Sequence, residues 1–420
     1  MLGSIVFQLI ILVLVFAFAT YACVFADPET SDVGRFCIIK LPSCILKWLE
    51  IILGQKLLNQ LSTLMDHGFQ MIYLVVVLGS WSIVFAYGYP EIEKSSYVHS
   101  CHQLIGYAVF VACMASWYYA CHVGPGNVTA RTISLFDHYE YDNVLYSDKL
   151  CPTLKIRKIA RSKYDRSSQR HVPRFDHYCS WLNQAVGERN YRWFLLFLAV
   201  HVFMCWYGTW VMASVMYGEM LEKDLLNATF FNVATGVEVK ADFVIVFHYL
   251  FRRHFQLCGV LLLMSVMGAT LGIFLGFHLY ITSLNMTTNE YFKWRSVKRW
   301  HRKERLKYEA AMKDGMKVKK CDSALLSQQV PDGDVGSVGA SAGEPPSDII
   351  ADDVIFDPGP MPKNIYNKGI ILNFAEVLFP LSSRDEAILR YRTTLRHDSD
   401  NDCSNQKCSS DEKRLKPKVT

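Results

Sequence analysis

The 420-residue chain lacks several features of an ordinary soluble enzyme or a secreted scaffold. Its thirteen cysteines have no framework spacing. They are scattered through apolar runs and basic stretches, which argues for free thiols over a disulfide-stapled fold. Charged residues are nearly missing from several runs of about twenty residues, a deficit that soluble domains rarely tolerate and that membrane-crossing helices require. The same runs hold few ionisable side chains of the kind that mark ion paths, which argues against a transporter or channel. No basic segment precedes the first apolar run, so it reads as an uncleaved anchor; cleavage after Val24-Phe25-Ala26 is the alternative.

What is present is 51% apolar residues and a net charge of +5 whose positive part is concentrated. Apolar runs at 3–26, 69–88, 104–121, 193–217 and 255–283 predict an all-α polytopic membrane protein with about five transmembrane helices, four to six being the range. Residues 27–67 carry leucines and isoleucines among polar positions and suit an amphipathic helix on the membrane surface or against other protein. Glycines 259, 268, 272 and 276 recur in the last run, as expected where helices approach closely. After it comes the basic, tryptophan-containing stretch Lys293–Lys303, which reads as a collar at the membrane surface. In the tail, 322–362 reads as a flexible linker and apolar character returns at Ile365–Pro380.

The loop 122–192 is strongly basic. Between Lys155 and Arg174 eight lysines and arginines face one acid, Asp165. A loop tethered between spans is a poor match for nucleic acid, so the charge reads as cytosolic marking, a phosphate-binding surface, or both. With this loop and the tail 284–420 in the cytosol, 27–67 is cytosolic and 218–254 luminal. Asn227 then becomes the one sequon on the glycosylation side. Near the end of the loop stands Phe175-Asp176-His177-Tyr178-Cys179-Ser180-Trp181. A thiolate is the reactive form of cysteine, and a histidine and basic side chains nearby favour it, so Cys179 is a candidate nucleophile, His177 its base and Asp176 the group that orients His177. A buried cysteine beside a surface Asp-His pair is the competing reading.

From these residues the chain resembles the DHHC-type protein S-acyltransferases (palmitoyltransferases), over about residues 65–380. Asp176-His177-Tyr178-Cys179 occupies the signature tetrapeptide in its DHYC form. Lys158–Lys163 stands where the family has a basic run, and Ser180–Asn183 with Val186–Tyr191 matches its W-x-N…G-x-x-N stretch. Thr287-Thr288-Asn289-Glu290 matches TTxE. Asn364–Gly369 and Asn373–Val377 match the C-terminal element. The resemblance implies a cytosolic DHHC-type domain at 122–192, with its core at 149–192, that takes a long-chain acyl group from acyl-CoA (palmitoyl-CoA) onto Cys179 and passes it to cysteines of membrane-associated proteins. It also implies an integral membrane protein of the endoplasmic reticulum or Golgi. Arg161, Lys163 and Arg189 are the candidate CoA contacts. Thr287, Thr288 and Asn373 are expected to tie the tail to the catalytic loop. A catalytically impaired membrane scaffold is the alternative.

One departure stands out. The family has two structural zinc sites, whose positions fall here on Cys151, Leu154, Tyr164 and His171, and on Asp165, Ser168, Tyr178 and Ala185. A closed zinc site needs four donors, so no structural zinc is expected, and Tyr164 and Tyr178 are expected to pack in its place.

Overall fold

The computed structural model describes residues 67–232, 236–313, 319–320 and 356–396, with scattered positions between 40 and 54. The expected anchor 3–26 lies outside the described residues, as do most of 27–67 and most of the linker 322–362. Helix α1 (Gly68–Ile83) runs on through a π-helical turn (Val84–Gly88) into Tyr89–Lys94. The wide turn precedes Pro90, which has no N–H to donate to the carbonyl four residues back and whose ring crowds that carbonyl. Helix α2 (Cys101–His122) follows. Six short strands come next: β1 (Lys149–Leu150), β2 (Arg157–Lys158), β3 (Lys163–Asp165), β4 (Arg170–Val172), β5 (His177–Cys179) and β6 (Gln184–Val186). Then come α3 (Tyr191–Glu222), the hairpin β7 (Thr229–Asn232) and β8 (Val237–Lys240), α4 (Phe243–Arg253), α5 (Phe255–Ser283), α6 (Thr288–Lys313) and α7 (Ile370–Leu378).

Among the described residues, four helical stretches are long and apolar enough to cross a membrane: Gly68–Lys94, α2, α3 and α5. Each contains one of the expected apolar runs. The described chain divides into two units. The first holds residues up to His122, Ser180–Asn183 and Trp193–Phe277. The second holds Val123–Cys179, Gln184–Arg192 and the chain from His278 onward.

The first unit is held by apolar packing. Val84, Ile92, Val211, Val215, Leu257 and Val260 form its main cluster. Gly208 lets Met264 lie against its backbone, since an added Cβ would sit 2.4 Å from Met264 Cε. Of the four glycines expected to mark close approach in α5, Gly268 does so, with Cys205 Cβ 3.1 Å from an added Cβ. Gly259 and Gly276 have open space, and Gly272 makes ordinary contact, so the small-residue reading is corrected to a single position. Within 218–254, expected to be luminal, Arg253 is a basic residue with an acidic partner. Arg253 lies 2.6 Å from Glu219, which also accepts from Lys223. Within this unit the turn after Cys179 is tied down: Gln70 donates to the Leu182 carbonyl at 3.0 Å, and Trp181 meets Phe69 edge-on.

The second unit carries three antiparallel hairpins, β1–β2, β3–β4 and β5–β6. Their strands are too short to stand alone. What binds them to the tail is a buried cation. Arg161, 1% exposed and in a left-handed backbone conformation, makes a two-point ion pair with Glu290 of α6, both contacts at 2.7 Å. It also donates to the side chain and carbonyl of Asn285 and lies 3.6 Å from Glu376 of α7. Tyr139 and Tyr366 cover the guanidinium at 4.8 and 4.6 Å. A charge taken out of water is tolerated only with such complete pairing. Burial works against ionised Glu290, but the Arg161 charge outweighs it and keeps the carboxyl below its usual range.

Candidate active site

Strand geometry explains how the tetrapeptide works as a unit. Successive side chains on β5 point to opposite faces. His177 and Cys179 therefore share one face, while Tyr178 on the other packs on the cluster of Val172, Phe175 and Ala185. The register His177 with Val186, Tyr178 with Ala185 and Cys179 with Gln184 fixes this arrangement, and the Asp176 N–H donates to the Val186 carbonyl at 2.9 Å.

The three chemical groups are in contact. His177 Nδ1 donates to Asp176 Oδ2 at 2.6 Å, and His177 is also hydrogen-bonded to Cys179. Asp176 is buried. It further accepts the Thr288 N–H at 2.6 Å and the Thr288 hydroxyl at 2.9 Å, at the first turn of α6, where a carboxylate suits the helix dipole. Burial pushes the Asp176 pKa up, but the bond from His177 and the nearby charges more than offset it, leaving it at about 2. Burial pushes His177 down; its bonds to Asp176 and Cys179 outweigh that and raise it to about 10. The imidazole therefore holds its proton at neutral pH. Such a group stabilises an adjacent thiolate and can hand a proton to a departing one.

The TTxE residues divide their work. Thr288 holds Asp176, while the Thr287 N–H and Oγ exchange hydrogen bonds with Glu290, which holds Arg161. Asn373 of α7 donates to the Ser283 carbonyl at 2.8 Å, joining the tail to the end of α5. Of the three expected CoA contacts, Arg161 is corrected: its guanidinium is sealed in the network with Glu290 and Asn285 and presents no face to a solvent-borne phosphate. Lys163 is half-buried with its ammonium 5.3 Å from the Phe175 ring, and Arg189 is exposed. The site also contains a residue that the sequence reading missed, His278 of α5, fully buried, with its ring 5.8 Å from that of His177. A histidine inside an apolar run was the available signal.

The positions of the two zinc sites do not fit the metal. Leu154 and Ala185 have no donor. Tyr164 is paired with His171 across β3–β4, and His171 Nε2 is 2.8 Å from Ser162 Oγ. Asp165 accepts the N–H and hydroxyl of Ser168 within the turn between β3 and β4. Among the described residues, Asp176, His177 and His278 do bring one donor each within 4.8 Å, and so do Glu91, Glu219 and His254. In the first group a direct hydrogen bond joins Asp176 to His177, and in the second Glu219 is neutralised by Lys223 and Arg253, so neither reads as a metal centre.

Residues 145–295 match the family model for DHHC palmitoyltransferase. Palmitoyltransferase SWF1 of Yarrowia lipolytica is 29% identical over 307 residues, 70% of this chain and 74% of that protein. Palmitoyltransferase ZDHHC4 of Mus musculus is 28% identical, over 64% of this chain and 77% of that protein, and its namesake in Bos taurus is 30% identical over 48% and 58%. The matched segment includes Asp176, His177 and Cys179 and reaches Thr288, which holds Asp176, and Glu290, which holds Arg161.

Proposed function

We propose that the protein is a protein S-palmitoyltransferase acting through an acyl-Cys179 intermediate, and that it does so without structural zinc. The observation that carries the reading is the continuous hydrogen-bonded series Thr288–Asp176–His177–Cys179. In the first half-reaction the Cys179 thiolate attacks the carbonyl carbon of a long-chain acyl-CoA. The new C–S bond forms, the bond to CoA sulfur breaks, and the leaving thiolate takes the proton from His177. In the second, His177 accepts the proton of a cysteine thiol on a membrane-associated protein, that sulfur attacks the acyl group, and Cys179 departs as thiolate. Thioester exchange is nearly isoenergetic, so positioning is the main demand. Lys163 and Arg189 are the remaining candidates for CoA phosphates. The basic loop favours a cytosolic site, and the family resemblance implies endoplasmic reticulum or Golgi membranes.

The test is self-acylation in detergent with labelled palmitoyl-CoA. Wild type is expected to take a hydroxylamine-sensitive label that Cys179→Ser lacks and His177→Ala nearly lacks. Label and thermal stability are expected to be unchanged after dialysis against a chelator. No label above the Cys179→Ser background in folded protein would leave the scaffold reading.

A further inference from the structure

The hydrogen bond at Nδ1 fixes one atom of the His177 ring, not its plane, and the bond to Cys179 is kept only while the ring holds its orientation. His177 Nδ1 is held by Asp176, but the side chain is a quarter exposed and sits on a three-residue strand. Swinging about the Nδ1 bond would carry the opposite nitrogen away from Cys179. Something on another element has to limit that motion, and His278 is placed to do it. Its ring lies 5.8 Å from that of His177, tilted by 41°. It is fully buried and tethered: Nδ1 is 3.0 Å from the Tyr191 hydroxyl, which in turn lies 3.2 Å from Thr282 Oγ1. Burying a polar imidazole in an apolar helix is costly unless it is hydrogen-bonded, and here the bond also fixes its orientation. Asp176 is meanwhile held independently by Thr288. The dyad is thus constrained through two frameworks, α6 for the carboxylate and α5 for the imidazole.

We propose that His278 is a positioning residue for acyl transfer: tethered by Tyr191, it confines His177 to the orientation that offers Nδ1 to Asp176 and the other ring nitrogen to Cys179. This rests on the reading of Cys179 as the nucleophile and His177 as its proton partner. It adds a residue that itself exchanges no proton with substrate. The titratable groups around His177 are Asp176 and Cys179 on its own segment, His278 on α5 and Tyr191 at the start of α3, with Arg174 acting on Tyr191.

Two measurements test it on the full chain in detergent. The first is the self-acylation rate against palmitoyl-CoA concentration. His278→Ala is expected to lower the maximal rate about tenfold with half-saturation unchanged, His278→Phe to recover more than half of the loss by restoring a ring, and Tyr191→Phe to lose about threefold. The second is the pH profile of Cys179 alkylation by iodoacetamide, which needs no acyl-CoA. His278→Ala is expected to move that profile toward the one given by His177→Ala. Should His278→Ala fail to fold, His278→Leu, of similar bulk but without a planar polar ring, carries the same expectations. A wild-type rate and profile in the variants would overturn the proposal, as would a loss of rate accompanied by an unmoved alkylation profile. A moved profile in a protein whose wild type takes no label would leave the positioning role standing and sink the acyl-transfer reading.

Discussion

Two glycines show how differently the two units are built. In the first unit, a Cβ at Gly268 would meet Cys205 Cβ at 3.1 Å and the edge of Trp206 at 3.3 Å, both side-chain atoms. In the second, a Cβ at Gly187 would lie 2.5 Å from Val172 Cγ1 and 2.9 Å from the Pro173 carbonyl, which is backbone and cannot step aside. The contrast holds more widely. The helical unit is organised by many weak apolar contacts, each replaceable. The unit that carries the dyad is organised by a few buried polar contacts, each with an assigned partner. Errors in the first are spread over many atoms; errors in the second leave a charge or a donor stranded.

The largest test of that contrast is Glu290→Ala. It strands Arg161 in a buried site, and breaking one member of a buried ion pair costs about 3–5 kcal/mol. Limited proteolysis is expected to open residues 123–192 in this variant while the helices remain protected. Acid comes next. His138 and His171 are buried and neutral, each held down to about 4, His138 by burial and then by Arg390, His171 by burial and then by Lys158. Both bind a proton more readily unfolded, so their contribution is fully present above about pH 6.5 and is lost as pH falls toward 4, at about 3 kcal/mol each. The second unit is expected to lose protection in that window, seen by hydrogen exchange. Asp176, at about 2, stays ionised throughout it. Gly187→Ala should cost about 1–3 kcal/mol and Gly268→Ala less than about 1, read from thermal unfolding of the two variants side by side. The smallest effect is expected at Ile273→Val, on an exposed face of α5, within about 0.5 kcal/mol. Equal losses at Gly187 and Gly268 would erase the distinction between the units.

The contrast also explains what could be read from the sequence. Spans are legible because the membrane imposes one requirement, an uninterrupted apolar run, and the four described spans coincide with such runs. The Asp176–His177–Cys179 set was legible because the residues lie close together on one short segment. Arg161 was misread for the opposite reason. Its partners Asn285, Glu290 and Glu376 are distant in sequence, and a basic residue in a basic loop looks like every other until its partner is found. His278 was missed because its role depends on Tyr191 and His177, which only folding brings to it. The segment 218–254, expected to be luminal, was read only as a loop, yet it contains the antiparallel pair β7–β8 and an α-helix capped by Asp242, whose side chain accepts from the Ile245 N–H.

The ion pair between Arg161 and Glu290 also sets an order of events at the ribosome. Glu290 follows Arg161 by 129 residues, and in between the chain must deliver two membrane spans. At roughly 5–20 residues per second, the cation is synthesised about 6–26 seconds before its partner, and Thr288, which holds Asp176, arrives similarly late. A nascent chain therefore exposes Cys179 before Asp176 and His177 can be aligned beside it. On the proposed chemistry, competence comes only after α5 and the start of α6 are made, so a chain stopped before Thr288 is expected not to react.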